Sequence, residues 1–153
     1  MKRAWWAPSS TATIWEATLA RGVGAPGHAR SELESHLNGA LSADRTRDML
    51  LLAGELVSNS VLHARADGSP EILLELILDR DAVRVVVTDG GSAKVPSVQQ
   101  RDPLGDGGRG LYLVDSLSDS WGMEREGARQ TRVWFEMRRR ASVGGCDSAM
   151  KTI

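Results

Sequence analysis

The sequence predicts an α+β fold, a two-layer sandwich of one sheet with segregated helices, and three observations carry that expectation. Two β-rich runs, Glu71–Leu78 and residues 82–88, are separated only by Asp79-Arg80-Asp81, a link so short that the strands must form an antiparallel hairpin. A second pair, residues 121–126 and 129–137, alternates in the same way and turns at Gly127-Ala128. Outside these pairs the apolar spacing shifts to the helical period, which gives α+β rather than alternating βαβ units.

The elements follow in chain order. Residues 1–10 read as a loose N-terminal segment. Residues 11–19 carry β-branched and aromatic side chains and predict a strand. Gly22, Gly24, Pro26 and Gly27 mark a loop. Ala29, Leu33 and Leu37 repeat at helical spacing, with Asn38-Gly39 as the stop. Ser42 is a good N-cap for a longer helix, and Asp44 suits the positive end of its dipole. Met49, Leu52, Ala53, Leu56 and Ser60 form one face of that helix, widened by Leu51 and Val57, so it should be buried. It ends near His63, before the turn Asp67-Gly68-Ser69-Pro70. Residues 89–110 are rich in Gly, Ser, Pro and Asp, a loop long enough to be functional or disordered. Residues 111–117 predict a short apolar helix. Residues 139–153 are polar and unpatterned and predict a disordered tail after a single domain at 11–138.

Composition narrows the function. The chain has 153 residues, and single domains cluster near this size. With 41% hydrophobic and 25% charged residues it is not a disordered polymer. Nineteen basic against twenty acidic residues give a net charge of -1, which offers no electrostatic case for a nucleic-acid or membrane partner. The lone Cys146 excludes a disulfide framework and a multi-cysteine zinc site. No apolar run approaches the ~18 residues of a membrane span, and the start is too short for a signal-peptide core, so a cytoplasmic protein is expected.

Three constellations carry chemistry. Glu55, Asn59 and His63 stand at i, i+4 and i+8, within about 80° of arc on an otherwise apolar helix. Burying unpartnered polar groups costs ~2–7 kcal/mol each, so the stripe needs solvent or a ligand such as a hydrated magnesium ion. Gly54 beside Glu55 costs ~1 kcal/mol relative to Ala in a helix and asks for a packing or access reason. Asp89-Gly90-Gly91 follows a strand directly; it is either an ordinary Asp-Gly turn or a carboxylate presented to an exocyclic amine, with glycine giving a flat ring access. Gly105-Asp106-Gly107-Gly108-Arg109-Gly110 spells a dinucleotide-binding pattern, but no strand precedes it. What survives is either a linker or a cluster of glycine amides at a helix N-terminus, suited to phosphate, with Arg109 as a charged donor. No Walker phosphate loop or G-x-S-x-G elbow is present, and His28 and His36 read as surface residues.

In this order the motifs resemble those of the GHKL, or Bergerat-fold, ATPases, which include histidine-kinase catalytic domains, type II topoisomerases and anti-sigma-factor serine kinases. Residues 55–63 (E-L-V-S-N-S-V-L-H) are similar to the family's N box, Asp89-Gly90-Gly91 to its first glycine box, and Gly108-Arg109-Gly110-Leu111 to its second. Residues 130–135 (Q-T-R-V-W-F) resemble its closing strand. The resemblance covers about residues 10–138, and the short one-domain form is closest to the bacterial anti-sigma-factor serine/threonine kinases.

It implies a mixed, mostly antiparallel sheet covered on one face by helices, with ATP and Mg²⁺ as cofactors. Glu55 would be the general base and Asn59 the magnesium ligand. Asp89 would bind the adenine amine, with Gly91 and Thr131 in support. Residues 92–108 would form a lid, and Gly108 and Gly110 would offer amides to the phosphates. His63, Arg109 and Leu111 fall inside the matched motifs and count with the nucleotide-binding positions. The implied partners are a sigma factor, an anti-anti-sigma (STAS-type) protein and a second copy of the chain. Ala93 and Gln130 depart from the family pattern, and a non-catalytic nucleotide-binding module or a plain ATPase stand as alternatives.

Overall fold

A computed structural model describes residues 7–63, 70–90, 109–126 and 130–139. The lid expected at 92–108, the turn at 127–128 and the tail from 140 on lie outside these residues. Five strands and three helices occur in the order β1 (Thr13–Ala20), α1 (Ala25–Leu37), α2 (Ala43–His63), β2 (Glu71–Leu78), β3 (Ala82–Asp89), α3 (Arg109–Leu117), β4 (Ser120–Glu126) and β5 (Gln130–Arg138). The sheet order is β1-β2-β3-β5-β4, and every pairing is antiparallel. Among the described residues the sheet is therefore antiparallel throughout rather than mixed. β3 and β4 do run in the same direction, but β5 lies between them, so the only connection that could give a parallel pair gives none.

One helix starts earlier than its sequence pattern suggests. α1 begins at Ala25, taking in Pro26 and Gly27. Proline is at home in a first turn, where its missing N–H is an orphan anyway. Ala25 N–H donates to Gly22 O at 3.1 Å and His28 N–H to Gly24 O at 3.0 Å, which closes the turn without a side-chain cap. The helix ends as expected: Asn38 adopts the left-handed conformation at φ 39° and Gly39 follows at φ 78°. Ser42 caps α2, its Oγ accepting from Arg45 N–H at 3.3 Å.

The core lies between the helices and one face of the sheet. Ala25, Ala29, Leu33 and Leu37 of α1 and Met49, Leu52, Ala53, Leu56 and Val57 of α2 pack with Leu19, Ile72, Leu74, Leu76, Val83, Val85, Val87, Phe135 and Met137. Truncating any of the large ones to Ala would cost about 2–5 kcal/mol. Arg45 on α2 pairs with Asp119, which also accepts from Arg138 N–H at 2.7 Å, so the start of α2 is fastened to the end of β5.

The opposite face is not bare. Arg84, only 4% exposed, stacks 4.1 Å above the Trp134 ring and donates to Glu136 Oε2 from Nε at 3.1 Å and Nη2 at 2.8 Å. Burial pulls the Arg84 guanidinium below its ordinary pKa, and the Glu136 carboxylate opposes that shift. Ile77 and Val86 join Trp134 in a small second cluster under Ala12. Ser9 donates from its backbone N–H to Asp79 Oδ2 at 2.9 Å and from Oγ to Oδ1 at 2.5 Å. These bonds tether the N-terminal segment to the β2–β3 turn.

Gly122 of β4 lies directly across from Trp134. A Cβ there would sit 2.7–2.9 Å from three indole atoms. Gly122→Ala should thus cost about 1–3 kcal/mol, the usual price of overpacking. Chemical denaturation checks it, and unchanged stability would show that the indole is free to move.

Candidate functional site

The core packing of α2 decides where its polar stripe points. With Met49, Leu52, Ala53, Leu56 and Val57 turned to the sheet, Glu55 and Asn59 are left half-buried at the margin, and His63 is exposed at the last turn. Neither Glu55 nor Asn59 makes a hydrogen bond or ion pair with another described residue. A carboxylate and a carboxamide, held one turn apart and unengaged, are open to a ligand.

The first turn of α3 closes against this stripe. A Cβ on Gly110 would lie 2.7 Å from Asn59 Nδ2 and 3.4 Å from its Cγ, so the glycine leaves the Asn59 carboxamide room against the α3 backbone. Leu111, 2% exposed, is anchored in the core and pins that turn in place. Its side chain is committed to packing, which leaves only its backbone for a ligand. The Gly110 approach thus joins two motifs that are about 50 residues apart in sequence.

Asp89 and Thr131 are directly opposite each other at the last rung between β3 and β5. They share the sheet face of Val87 and Val133, which is the helix-covered face. Thr131 is 3% exposed, and its Oγ1 has no hydrogen-bond partner. An orphaned buried hydroxyl beside a strand-end carboxylate is a cost unless something polar completes it. A purine edge with a ring nitrogen and an exocyclic amine offers the acceptor for the Thr131 hydroxyl and the donor for the Asp89 carboxylate. Thr88 Oγ1 is equally orphaned. Its side chain is on the other face, in a hollow of about 290 Å³ that Thr18, Leu73 and Gln130 line together with the Asp89-Gly90 strand end. Asn59 does not line that hollow.

The structure therefore brings Asn59, one turn from Glu55 on α2, against Gly110 of α3, and Asp89 with Thr131 at the sheet end. Gly91, Gly108 and the side chain of Arg109 lie outside the described residues. Among the described residues, no group of three or more His, Cys, Asp or Glu could hold a metal by itself. A magnesium ion held here would need to draw most of its ligands from water and phosphate, with Asn59 supplying one oxygen.

One residue escaped the sequence reading. Arg30 of α1 lies across α2 at Gly54, where a Cβ would be 2.9 Å from its Nη1 and 3.5 Å from its Cδ. The signal was the mid-helix glycine, which called for a reason without naming the arginine.

The sequence model of the histidine kinase-like ATPase domain matches residues 23–137. No curated protein sequence matches the chain. A solved structure of the RsbU and RsbW domains of a Mycobacterium tuberculosis protein is similar, at TM-score 0.65 and 20% identity over 82% of this chain. This chain spans about a third of that structure's length, 32%. The likeness is one of fold.

Gly110→Ala tests the contact that joins α2 to α3. Alanine suits a helix, so the fold should survive, while the Asn59 carboxamide is displaced. Nucleotide affinity should fall about 10–100-fold, as when a ligand loses its support. Calorimetric titration reads it, and parental affinity would remove Asn59 from the site.

Proposed function

The chain belongs to the histidine kinase-like ATPase domain family, and from that premise we propose that it is an ATP- and magnesium-dependent protein serine/threonine kinase that also holds a sigma factor. In this reading it releases the sigma factor by engaging and phosphorylating an anti-anti-sigma protein of the STAS type. The observation that carries the reading is the unengaged Asn59 side chain against Gly110, one turn from an unengaged Glu55, with Asp89 and the orphaned Thr131 hydroxyl on the helix-covered side of the sheet.

The residues divide the work. Asp89 and Thr131 orient the adenine. Asn59 and the α3 amides orient the phosphates; when bound, Mg²⁺ supplies charge neutralisation there. Glu55 accepts the proton of the acceptor hydroxyl as its oxygen bonds to the γ-phosphorus. The bond from that phosphorus to the bridging oxygen breaks, and ADP carries the electron pair away. Phosphoryl transfer needs mainly such positioning and electrostatic stabilisation. A pure binding module needs no base, and Glu55 beside Asn59 supports the kinase over that alternative.

Two substitutions separate chemistry from binding. Glu55→Gln keeps the size and the oxygen but removes the base, so the variant should bind Mg-ATP normally while transfer falls about 10²-fold or more. Asn59→Ala should instead weaken nucleotide binding and blunt its magnesium dependence. Labelled ATP with a purified STAS-domain protein reads transfer, and calorimetry reads binding. Transfer by Glu55→Gln at the parental rate would remove Glu55 as the base, and a parent chain that binds Mg-ATP but transfers nothing would leave the binding module.

Asp89→Asn replaces an acceptor by a group that can present its amide donors to the adenine amine. ATP binding should be lost with the fold retained. Parental affinity by calorimetry would take Asp89 out of the adenine site.

A further inference from the structure

The face of the sheet that none of the described helices covers carries a feature that phosphoryl transfer does not use. Thr18, Leu73 and Thr88 stand side by side on one rung across β1, β2 and β3. They line the hollow of about 290 Å³, with Glu71 and Gln130 also at its wall. That volume is at the small end of ligand pockets and suits one small molecule or one side chain. Leu73 gives the hollow an apolar patch. Thr88 is 3% exposed, its side chain turns into the hollow, and its Oγ1 has no hydrogen-bond partner. A buried hydroxyl left unpaired is a cost that a ligand seated there removes.

The charge around the hollow selects the ligand. Glu16 and Glu75 lie two residues along the strands from Thr18 and Leu73, on the same face, and directly opposite each other. Like charges so placed destabilise a sheet. Neither carboxylate makes an ion pair or hydrogen bond with another described residue. Glu71 and the Asp89 strand end add negative charge at the wall, and both have interactions of their own. No Lys, Arg or His lines the hollow. The cations nearest in register each face a carboxylate already. Arg132, across from Thr88, has Glu124 opposite it on β4, and Arg84 pairs with Glu136. A cation is therefore the missing counterpart of Glu16 and Glu75, whereas an anion would add to their repulsion.

We propose that this hollow binds an organic cation, an ammonium or guanidinium group on a short apolar stem. The stem lies on Leu73. The cationic head donates to the Thr88 hydroxyl oxygen and is neutralised by Glu75 and Glu16. A metal ion fits less well, because Leu73 offers it no ligand and no group of three acidic or histidine side chains surrounds it among the described residues. A free aliphatic amine and a Lys or Arg side chain of another protein carry the same chemistry. The site is separate from the nucleotide cleft: Thr88 and Asp89 are successive on β3, so their side chains point to opposite faces of the sheet. It stands or falls independently of the kinase reading.

The test titrates the full, isotope-labelled chain with putrescine and with the blocked peptide acetyl-Gly-Arg-Gly-amide, following backbone amide signals by NMR. At least one of these cations should give saturable shifts at Thr18, Leu73 and Thr88 that weaken with added salt, and the neutral analogue butanediol should give none. Glu75→Gln keeps the size and removes the charge, so the affinity should fall about fivefold or more. Thr88→Val replaces the unpaired hydroxyl by a methyl of the same shape. It should weaken the same binding while the melting temperature stays level or rises. Glu34→Gln, an exposed carboxylate on α1, should bind like the parent. Saturation by putrescine alone supports a site for a free amine, and saturation by the peptide alone supports a site for a partner's side chain. No saturable shift with either cation overturns the proposal, as does parental affinity in Glu75→Gln. A lowered melting temperature in Thr88→Val with parental binding overturns it too, by showing that water already satisfies the hydroxyl. Shifts centred on Asn59 and Gly110 would place the cation in the nucleotide cleft and have the same consequence.

Discussion

The burial of one face of α2 is the constraint from which the rest of the molecule follows. Met49, Leu52, Ala53, Leu56 and Val57 are driven against the sheet by the hydrophobic effect, and a helix fixed on one side has no freedom left on the others. Glu55 and Asn59 emerge at the margin because their neighbours are buried. The same rotation turns Gly54 to Arg30 and Asn59 to Gly110. Two glycines, one on each flank, leave room for the Arg30 and Asn59 side chains. The polar chemistry of the helix is thus positioned by apolar packing, and no polar network among the described residues is needed to hold it.

The sheet contributes a second fixed point. Its antiparallel register sets Asp89 against Thr131 at the last rung, beyond the valine-rich stretch that buries both faces of β3. The orphaned Thr131 hydroxyl at such a place is a local cost that the fold tolerates because the strand beneath is secured. On the far face, Arg84, Trp134 and Glu136 form a layer of their own. This layer ties β3 to β5 on the side that none of the described helices covers.

Much of this was legible in the sequence because the signals were local. The Asp79–Asp81 link fixed one hairpin, Ser42 marked the start of α2, and Asn38-Gly39 marked the end of α1. The stripe Glu55, Asn59 and His63 could be read from helical spacing alone. What escaped depends on contacts distant in sequence. Pro26 and Gly27 read as loop, since their helical conformation rests on a first turn that tolerates proline and on Ala25 reaching the core. The all-antiparallel sheet follows from β5 lying between β3 and β4, which no local pattern encodes. Arg84 sits in a run that alternates weakly, so its burial over Trp134 had no signature, and Gly122 opposite that ring looked like an ordinary turn-prone residue. Gly54 announced a close neighbour, but only the packing of α1 on α2 identifies it as Arg30.

The central claim is that one cleft, between the stripe of α2, the first turn of α3 and the Asp89 end of the sheet, holds a magnesium nucleotide. The most direct measurement is a crystal structure of the chain with Mg²⁺ and a non-hydrolysable ATP analogue. The account predicts the adenine amine on the Asp89 carboxylate, the Thr131 hydroxyl satisfied by the base or by a bridging water, and the phosphates between the Asn59 side chain and the Gly110 backbone. A nucleotide seated on the uncovered face, over Thr88 and Leu73, would contradict it.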